Sequence, residues 1–276
     1  MRESTVEKRD SRTNGLRMAV LKSPREIELM RAAGRVVFSV LQRLRETVKP
    51  GVTTGELGQI AEEMIVAAGG VPLFKGVQTP HTKFPFPSAI CASVNEEVVH
   101  GIPGDRVLKE GDIISVDCGV LLRGYCGDSA TTLAVGRIDR ETQRLLDVTS
   151  GSLEIAVREM KPGRWWSEVA TAIQSHVESA GFSVVREFVG HGIGQEMHEE
   201  PKVPNYSDRK QRKDDFRLEP GLVLAVEPMV NAGGREVKSG DWTGWPQVTK
   251  DGRPSAHFEH TVAVTTTGVD ILTDGR

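Results

Sequence analysis

Cysteine is scarce in this chain of 276 residues: only Cys91, Cys118 and Cys126 occur. An odd, sparse set argues against a disulfide framework and fits a reducing cytosol. All three read as small buried apolar residues, with Cys118 and Cys126 close enough in sequence to face each other on a hairpin. No apolar run approaches the roughly 18 residues that would span a bilayer. The formal charge of −3 and pI near 6.2 give no sign of a bulk nucleic-acid binder. Met1 to Arg17 are polar and charged and lack the apolar core of a secretory signal. Residues 1–20 are therefore expected to be a flexible tail, or in part sequence upstream of a start at Met18. What remains is a composition ordinary for a soluble globular protein.

What is present is a repeat. Lys49-Pro50-Gly51, Glu56 and Ala68-Gly69 recur as Lys161-Pro162-Gly163, Glu168 and Ala180-Gly181, every pair 112 residues apart. A helix-like apolar pattern precedes each Lys-Pro-Gly: Ile27, Met30, Ala33, Val37, Val40, Leu41 and Leu44, then Leu145, Val148, Leu153, Ala156 and Val157. A second pattern follows each, through Leu57, Ile60, Ala61, Met64 and Ile65, then Val169, Ala172, Ile173 and Val177. Pro-Gly stops one helix and turns the chain. Thr53 with Glu56 forms a capping box for the next, whereas Trp165 in the second copy cannot cap. Strand-like segments come after each helix pair. Asp112–Asp117 and Tyr125–Val135 predict a hairpin around Leu122-Arg123-Gly124, and Gly221–Val230 and His257–Thr265 predict strands of the second half. Two α+β halves, about 21–138 and 139–276, would pack as a single domain, their sheets together and helices outside. A ligand site is expected at their junction.

Four carboxylates sit where strand interiors are expected, a place charged groups avoid unless paired or metal-bound. Asp117 ends Ile113-Ile114-Ser115-Val116, and Asp128 lies on the facing strand. The predicted turn places them opposite, or nearly so, on one face. Glu227 follows Leu222-Val223-Leu224-Ala225-Val226, and Glu259 sits in His257–Val264. His191 lies in Gly190-His191-Gly192-Ile193-Gly194, whose glycines let backbone approach a ligand. So much negative charge calls for about two divalent cations. An oxygen-rich set with one nitrogen suits Mn²⁺, Fe²⁺ or Co²⁺, and Zn²⁺ less naturally. Salt bridges to Arg or Lys are the other reading, disfavoured because few basic residues flank these strands.

With these residues in view, the chain resembles type I methionine aminopeptidases of the M24 metallopeptidases. The resemblance rests on Ser93–Pro103, Ser115-Val116-Asp117-Cys118-Gly119, Gly127-Asp128-Ser129, Gly190–Gly194, Met197-His198-Glu199-Glu200-Pro201, Glu227-Pro228-Met229 and Phe258-Glu259-His260-Thr261. These occur in family order over roughly Ser23 to Thr273. The resemblance implies an α/β "pita-bread" fold with an internal pseudo-two-fold. It implies two divalent ions, Asp117 on one, His191 and Glu227 on the other, Asp128 and Glu259 bridging. It implies metal-assisted hydrolysis with Glu227 as general base, His198 on the developing oxyanion and His100 on the scissile amide. Phe86, Cys91, Met197 and Trp245 match the wall of a methionine pocket. The implied substrate is the deformylated amino-terminal methionine of a nascent polypeptide with a small second residue. The implied enzyme is a cytoplasmic monomer with no membrane or specific nucleic-acid partner.

The chain also departs from the family pattern. Gln78 to Pro85 reads as an insertion at the pocket rim, and Val77 stands where an aromatic is expected. His257 replaces a frequent glutamine. Arg209-Lys210-Gln211-Arg212-Lys213 reads as a solvated loop, with a weak ribosome contact as the other reading. Two rival functions remain: a proline-specific aminopeptidase of the same fold, which usually carries an extra N-terminal domain, and an inactive pita-bread binding module, which would lose metal ligands. The pair Trp165-Trp166 has no explanation in the sequence.

Overall fold

The computed structural model describes residues 19–209 and 213–276. The N-terminal reading up to residue 18 and the centre of the basic run fall outside them. Helices α1 (Pro24–Thr47) and α2 (Thr54–Ala67) precede strands β1 (Val71–Pro72), β2 (Ile90–Val94), β3 (Glu97–Val99), β4 (Ile113–Leu122) and β5 (Tyr125–Ala134). The order then recurs. Helices α3 (Arg140–Glu159) and α4 (Trp166–Ser179) precede β6 (Ser183–Val184), β7 (Gly190–Gly192), β8 (Glu199–Val203), β9 (Val223–Val226) and β10 (Met229–Asn231). Strands β11 (Val237–Ser239), β12 (Gln247–Thr249), β13 (Ser255–His257), β14 (His260–Val264) and β15 (Val269–Ile271) complete it. This is the pita-bread α/β architecture, helices laid over antiparallel sheets.

Local chemistry sets the helix ends. Ser23 caps α1 and Thr53 caps α2, each in a reciprocal box with the glutamate three residues on; such a cap contributes about 1 kcal/mol. At α4 half the box survives. Glu168 still accepts from the Trp165 backbone N–H at 3.1 Å, but an indole has no oxygen to offer in return. The two tryptophans have separate tasks. Trp166 is buried, stacks on Phe216 and donates its indole N–H to the Pro204 carbonyl at 2.8 Å. Trp165 lies outside beneath the Arg217 guanidinium.

One core joins α1 and α2 to β2 and β4 through Val37, Leu44, Leu57, Ile65, Ile90 and Val116. Fully burying each such side chain contributes about 1.5–3 kcal/mol. A second joins α3 and α4 to β9 and β14 through Leu153, Ile173, Leu224 and Val262. Between the halves, β5 is stitched to residues 257–261 by hydroxyls. Thr132 Oγ1 donates to the His257 carbonyl and accepts its N–H, both at 2.8 Å. Ser129 Oγ donates to the Glu259 carbonyl, and the Glu259 N–H donates to that of Ala130. Among the described residues no helix is long and apolar enough to cross a membrane.

Three expectations change. Gly221–Val230 is not one strand but β9 and β10, interrupted at Glu227-Pro228, and His257–Thr265 is β13 and β14, interrupted at Phe258-Glu259. Pro228 has no N–H to donate, which ends the ladder there. The β4–β5 turn is only Arg123-Gly124, both at positive φ (52° and 82°), so the pairing axis falls one residue beyond the expected midpoint. Cys118 pairs with Ser129 and Cys126 with Leu121, which puts the two thiols on opposite faces of the hairpin. All three cysteines are free and buried.

Candidate metal centre

Register brings the acids together. On β4 and β5, Asp117 stands opposite Ala130 and Asp128 opposite Gly119. Side chains alternate along a strand, so both aspartates share one face, as diagonal rather than direct neighbours. In the second half Val226 pairs with His260 and Met229 with His257. The same register carried through the interruption sets Glu227 opposite Glu259. Each glutamate therefore stands where its strand leaves one sheet for another, and Asn205 Nδ2 fixes the Glu227 carbonyl at 3.0 Å. His191, on β7 beside β9, places Nε2 3.5 Å from Glu227 Oε1.

Asp128, His191 and Glu259 each present a ligand atom within 4.8 Å of the others. The His191 Nδ1 lies 2.9 Å from the Gly192 carbonyl. A neutral imidazole bonded this way donates from Nδ1 and leaves the Nε2 lone pair directed at the acids. Asp117 Oδ1, Asp128 Oδ1, Glu259 Oε1 and His257 Nε2 are buried with no hydrogen-bond partner among the described residues. A buried carboxylate oxygen without a donor is costly, and a cation supplies what is missing.

The electrostatics agree. Burial, then the charge of Asp128, raises Asp117, Glu227 and Glu259 above the ordinary carboxylate range. Burial pushes Asp128 up to about 7. Burial pulls His100 and His191 down to about 4 and His257 to about 3, and lowers His198 as well. The imidazoles are thus neutral, the state that ligates metal, while the acids resist ionising beside one another. The donor set of carboxylates and an imidazole fits a divalent metal.

The cluster is one wall of a cavity of about 240 Å³. Every residue singled out in the sequence reaches it: Asp117, Asp128, His191, Glu227 and Glu259, His100 and His198, and Phe86, Cys91, Met197 and Trp245. The last four form an apolar recess. Phe86 meets Trp245 edge-on at 5.0 Å, and the Trp245 indole N–H donates to the Phe84 carbonyl at 2.8 Å. His100 adopts φ 61°, a left-handed conformation costing on the order of 1–2 kcal/mol for a residue with a side chain. Its ring packs edge-on against Phe188 at 5.5 Å and Trp245 at 6.2 Å. His198 lies against His191, ring centres 4.3 Å apart.

The segment read as an insertion folds back on itself. Gly76 N–H donates to the Phe86 carbonyl and Phe86 N–H to that of Val77. Val77 and Thr79 line the cavity, and Phe84 touches Trp242. Sequence reasoning did not find Phe74, Thr79, Val99, Phe188 or Val189 in the wall. For Phe188 and Val189 the signal was their place directly before Gly190-His191. Val99 lies on β3, directly before His100 in the Ser93–Pro103 motif, while Phe74 and Thr79 arrive through loops with no pattern to mark them. His257, noted only as a departure, places Nε2 3.6 Å from Glu227 Oε2.

The model of metallopeptidase family M24 matches residues 28–266. Methionine aminopeptidase 1 of Bacillus subtilis is 52% identical over 257 residues, 93% of this chain and 99% of that protein. The Escherichia coli K12 methionine aminopeptidase is 43% identical, with 92% of this chain and 93% of the relative covered. The crystal structure of methionine aminopeptidase from Thermotoga maritima superposes with a TM-score of 0.87 at 42% identity, covering 93% and 99% of the two chains. A prolidase from Pyrococcus furiosus shares the fold, at 19% identity and a TM-score of 0.71 over 94% of this chain and 66% of that one.

Proposed function

The chain belongs to metallopeptidase family M24, and from that premise we propose that its cleft removes the amino-terminal methionine of polypeptides. The protein is a metalloaminopeptidase of the methionine aminopeptidase kind. Its substrate is the initiator methionine of new chains whose second residue is small, met in the cytoplasm by a monomer whose residues 21–276 act as one catalytic domain. One observation carries this reading: a buried set of carboxylates and imidazole, short of hydrogen-bond donors, forms one wall of a cavity whose other wall is a closed recess of sulfur and aromatic surface.

Asp117, Asp128, His191, Glu227 and Glu259 would hold two divalent ions, with Asp128 and Glu259 shared, Asp117 on one ion and His191 and Glu227 on the other. Oxygen-rich ligation favours Fe²⁺, Mn²⁺ or Co²⁺, with Zn²⁺ tolerated. When bound, such ions lower the pKa of water and polarise a carbonyl. Glu227, in the cavity wall and raised above the ordinary carboxylate range by burial, takes the proton from the attacking water. His198, neutral and beside His191, donates to the oxygen on which charge develops. His100 is braced by Phe188 and Trp245 at the junction of recess and cluster, where it faces the scissile amide. Phe86, Cys91, Met197 and Trp245 receive the methionine side chain, whose thioether suits that surface.

The test is turnover of Met-Ala-x, Met-Pro-x, Leu-Ala-x and x-Pro-x peptides by metal-stripped protein given Mn²⁺, Fe²⁺, Co²⁺ or Zn²⁺. Cleavage confined to Met followed by a small residue, and dependent on added metal, is expected. Preference for x-Pro peptides, or turnover indifferent to metal, would overturn the reading.

A further inference from the structure

Lys22 lies outside the cavity and belongs to none of the motifs above, yet its side chain is only 4% exposed. Its Nζ donates to the Val20 carbonyl at 2.9 Å and to Glu199 Oε2 at 2.5 Å. The other oxygen, Glu199 Oε1, accepts the Glu196 backbone N–H at 3.3 Å. That bond closes a four-residue turn whose two central residues are Met197 and His198, both in the cavity wall. The turn is tight against the ammonium. A Cβ on Gly194 would lie 2.4 Å from Glu199 Oε1 and 2.5 Å from Lys22 Cε. Glycine at 194 is what lets Lys22 reach across.

Anchoring the chain before α1 does not need this side chain. The Lys22 backbone N–H already donates to the Gly221 carbonyl at 2.7 Å. What the ammonium adds is a charge-assisted bond, short and directional, on the carboxylate that closes the turn. Without it the Glu199 carboxylate keeps, among the described residues, only its long bond to Glu196, and the His198 ring loses a restraint on its place against His191.

We propose that Lys22 is a positioning residue: through Glu199 it fixes the turn that presents His198 to the substrate. This rests on the reading of His198 as the donor to the developing charge. Partners that orient metal ligands typically contribute about 10- to 100-fold in activity, and the same order is expected of one that orients His198.

The experiment compares Lys22→Met, Glu199→Gln, His198→Ala and Lys22→Met/His198→Ala, each metal-loaded, by kcat and KM on a Met-Ala-x peptide well below its melting temperature. Lys22→Met and Glu199→Gln are each expected to lower kcat about 10-fold or more with metal content unchanged. Adding Lys22→Met to His198→Ala should lower kcat no further, because the residue it positions is gone. Unchanged kcat in the folded Lys22→Met and Glu199→Gln proteins, whatever their melting temperatures, would overturn the proposal. So would a double variant whose loss is the product of the single losses. Should Lys22→Met not fold, Glu199→Gln, nearly isosteric, decides alone. Undiminished kcat in His198→Ala would overturn the reading of His198, and the proposal with it.

Discussion

Thr261 and the backbone of Asp128 exchange two hydrogen bonds across the junction of the halves. The Asp128 N–H donates to Thr261 Oγ1 at 3.0 Å, and the hydroxyl donates to the Asp128 carbonyl at 2.8 Å. Thr132 grips the backbone of His257 from the opposite side in the same way. One hydroxyl thus holds Asp128, a proposed metal ligand of the first half, against the second. Thr261→Val keeps the shape but leaves both backbone groups buried and unpaired, at about 1–3 kcal/mol for each unsatisfied group. Thermal unfolding in chelator should shift down by several degrees, and metal titration should show weaker uptake. Thr261→Ser retains the hydroxyl and should lie close to the parent in metal affinity.

Variants of Glu259 and His198 test the proposed division between ligation and catalysis. Glu259→Ala removes an acid whose backbone is bonded to Ala130 and Ser129, so the strand geometry survives while the oxygens vanish. Metal stoichiometry should fall and activity should be lost. His198→Ala takes away a ring that contacts His191 and that, in the proposed scheme, holds no ion. Metal content should be unchanged and kcat lower by about 10²–10³, the effect of removing one oxyanion donor. Elemental analysis of both variants beside their kcat checks the division; loss of metal from His198→Ala would make it a ligand.

Metal removal should expose a pH dependence whose sign can be worked out. Buried Asp128 stands at about 7, and Asp117, Glu227 and Glu259 are likewise raised. Unfolded carboxylates ionise near 4. From about pH 4 upward the folded apo-protein therefore binds more protons at these groups than the unfolded chain, and they make it less stable as pH rises. His100, His191 and His257 act oppositely. Their folded values of about 4, 4 and 3 lie below the ordinary 6.5, so their contribution grows as pH rises to about 6.5 and is then constant. Above about pH 6.5 only the acids still change. The melting temperature in chelator should drop between about pH 6.5 and 8, and Mn²⁺ should abolish the drop, because cations replace the protons. Parallel melting curves with and without metal would contradict this.

The helices, and the acids that meet in the cavity, are legible in the sequence because each leaves a local mark. The apolar spacing from Met30 to Leu44 is what α1 buries, and Thr53 with Glu56 is the cap observed. Asp117, Glu227 and Glu259 stood out as charges closing or interrupting apolar runs. The breaks at Glu227-Pro228 and Phe258-Glu259 were read as continuous strand, because β-prone residues lie on both sides and the reason to break is non-local: each strand changes sheet there. Pro228 was a usable warning. The diagonal placing of Asp117 and Asp128 turns on Arg123 taking a positive φ, which nothing in an arginine announces. Lys22 was invisible for a similar reason, since its partner lies 177 residues away.

A close approach of helix to sheet also bears on the proposed metal site. A Cβ on Gly127 would lie 2.7 Å from the Gly34 nitrogen and 3.0 Å from the Ala33 carbonyl carbon, so α1 rests backbone to backbone on β5. Gly34 is confined as well, since a Cβ there would collide with the Leu272 carbonyl oxygen. The atoms that the new methyl meets are backbone, with no flexible side chain to give way, so Gly127→Ala should displace β5, and Asp128 is the next residue. Overpacking of this sort costs typically about 1–3 kcal/mol. Gly163→Ala is the matched comparison. Gly163 sits at φ 85° with open space around it, so alanine there pays only left-handed strain, about 1–2 kcal/mol. Both variants should melt at lower temperature. Only Gly127→Ala should also lose metal affinity and turnover below its melting point, because only there does the strain reach a proposed ligand. Equal activity in the two would mean that β5 absorbs the added methyl without moving Asp128.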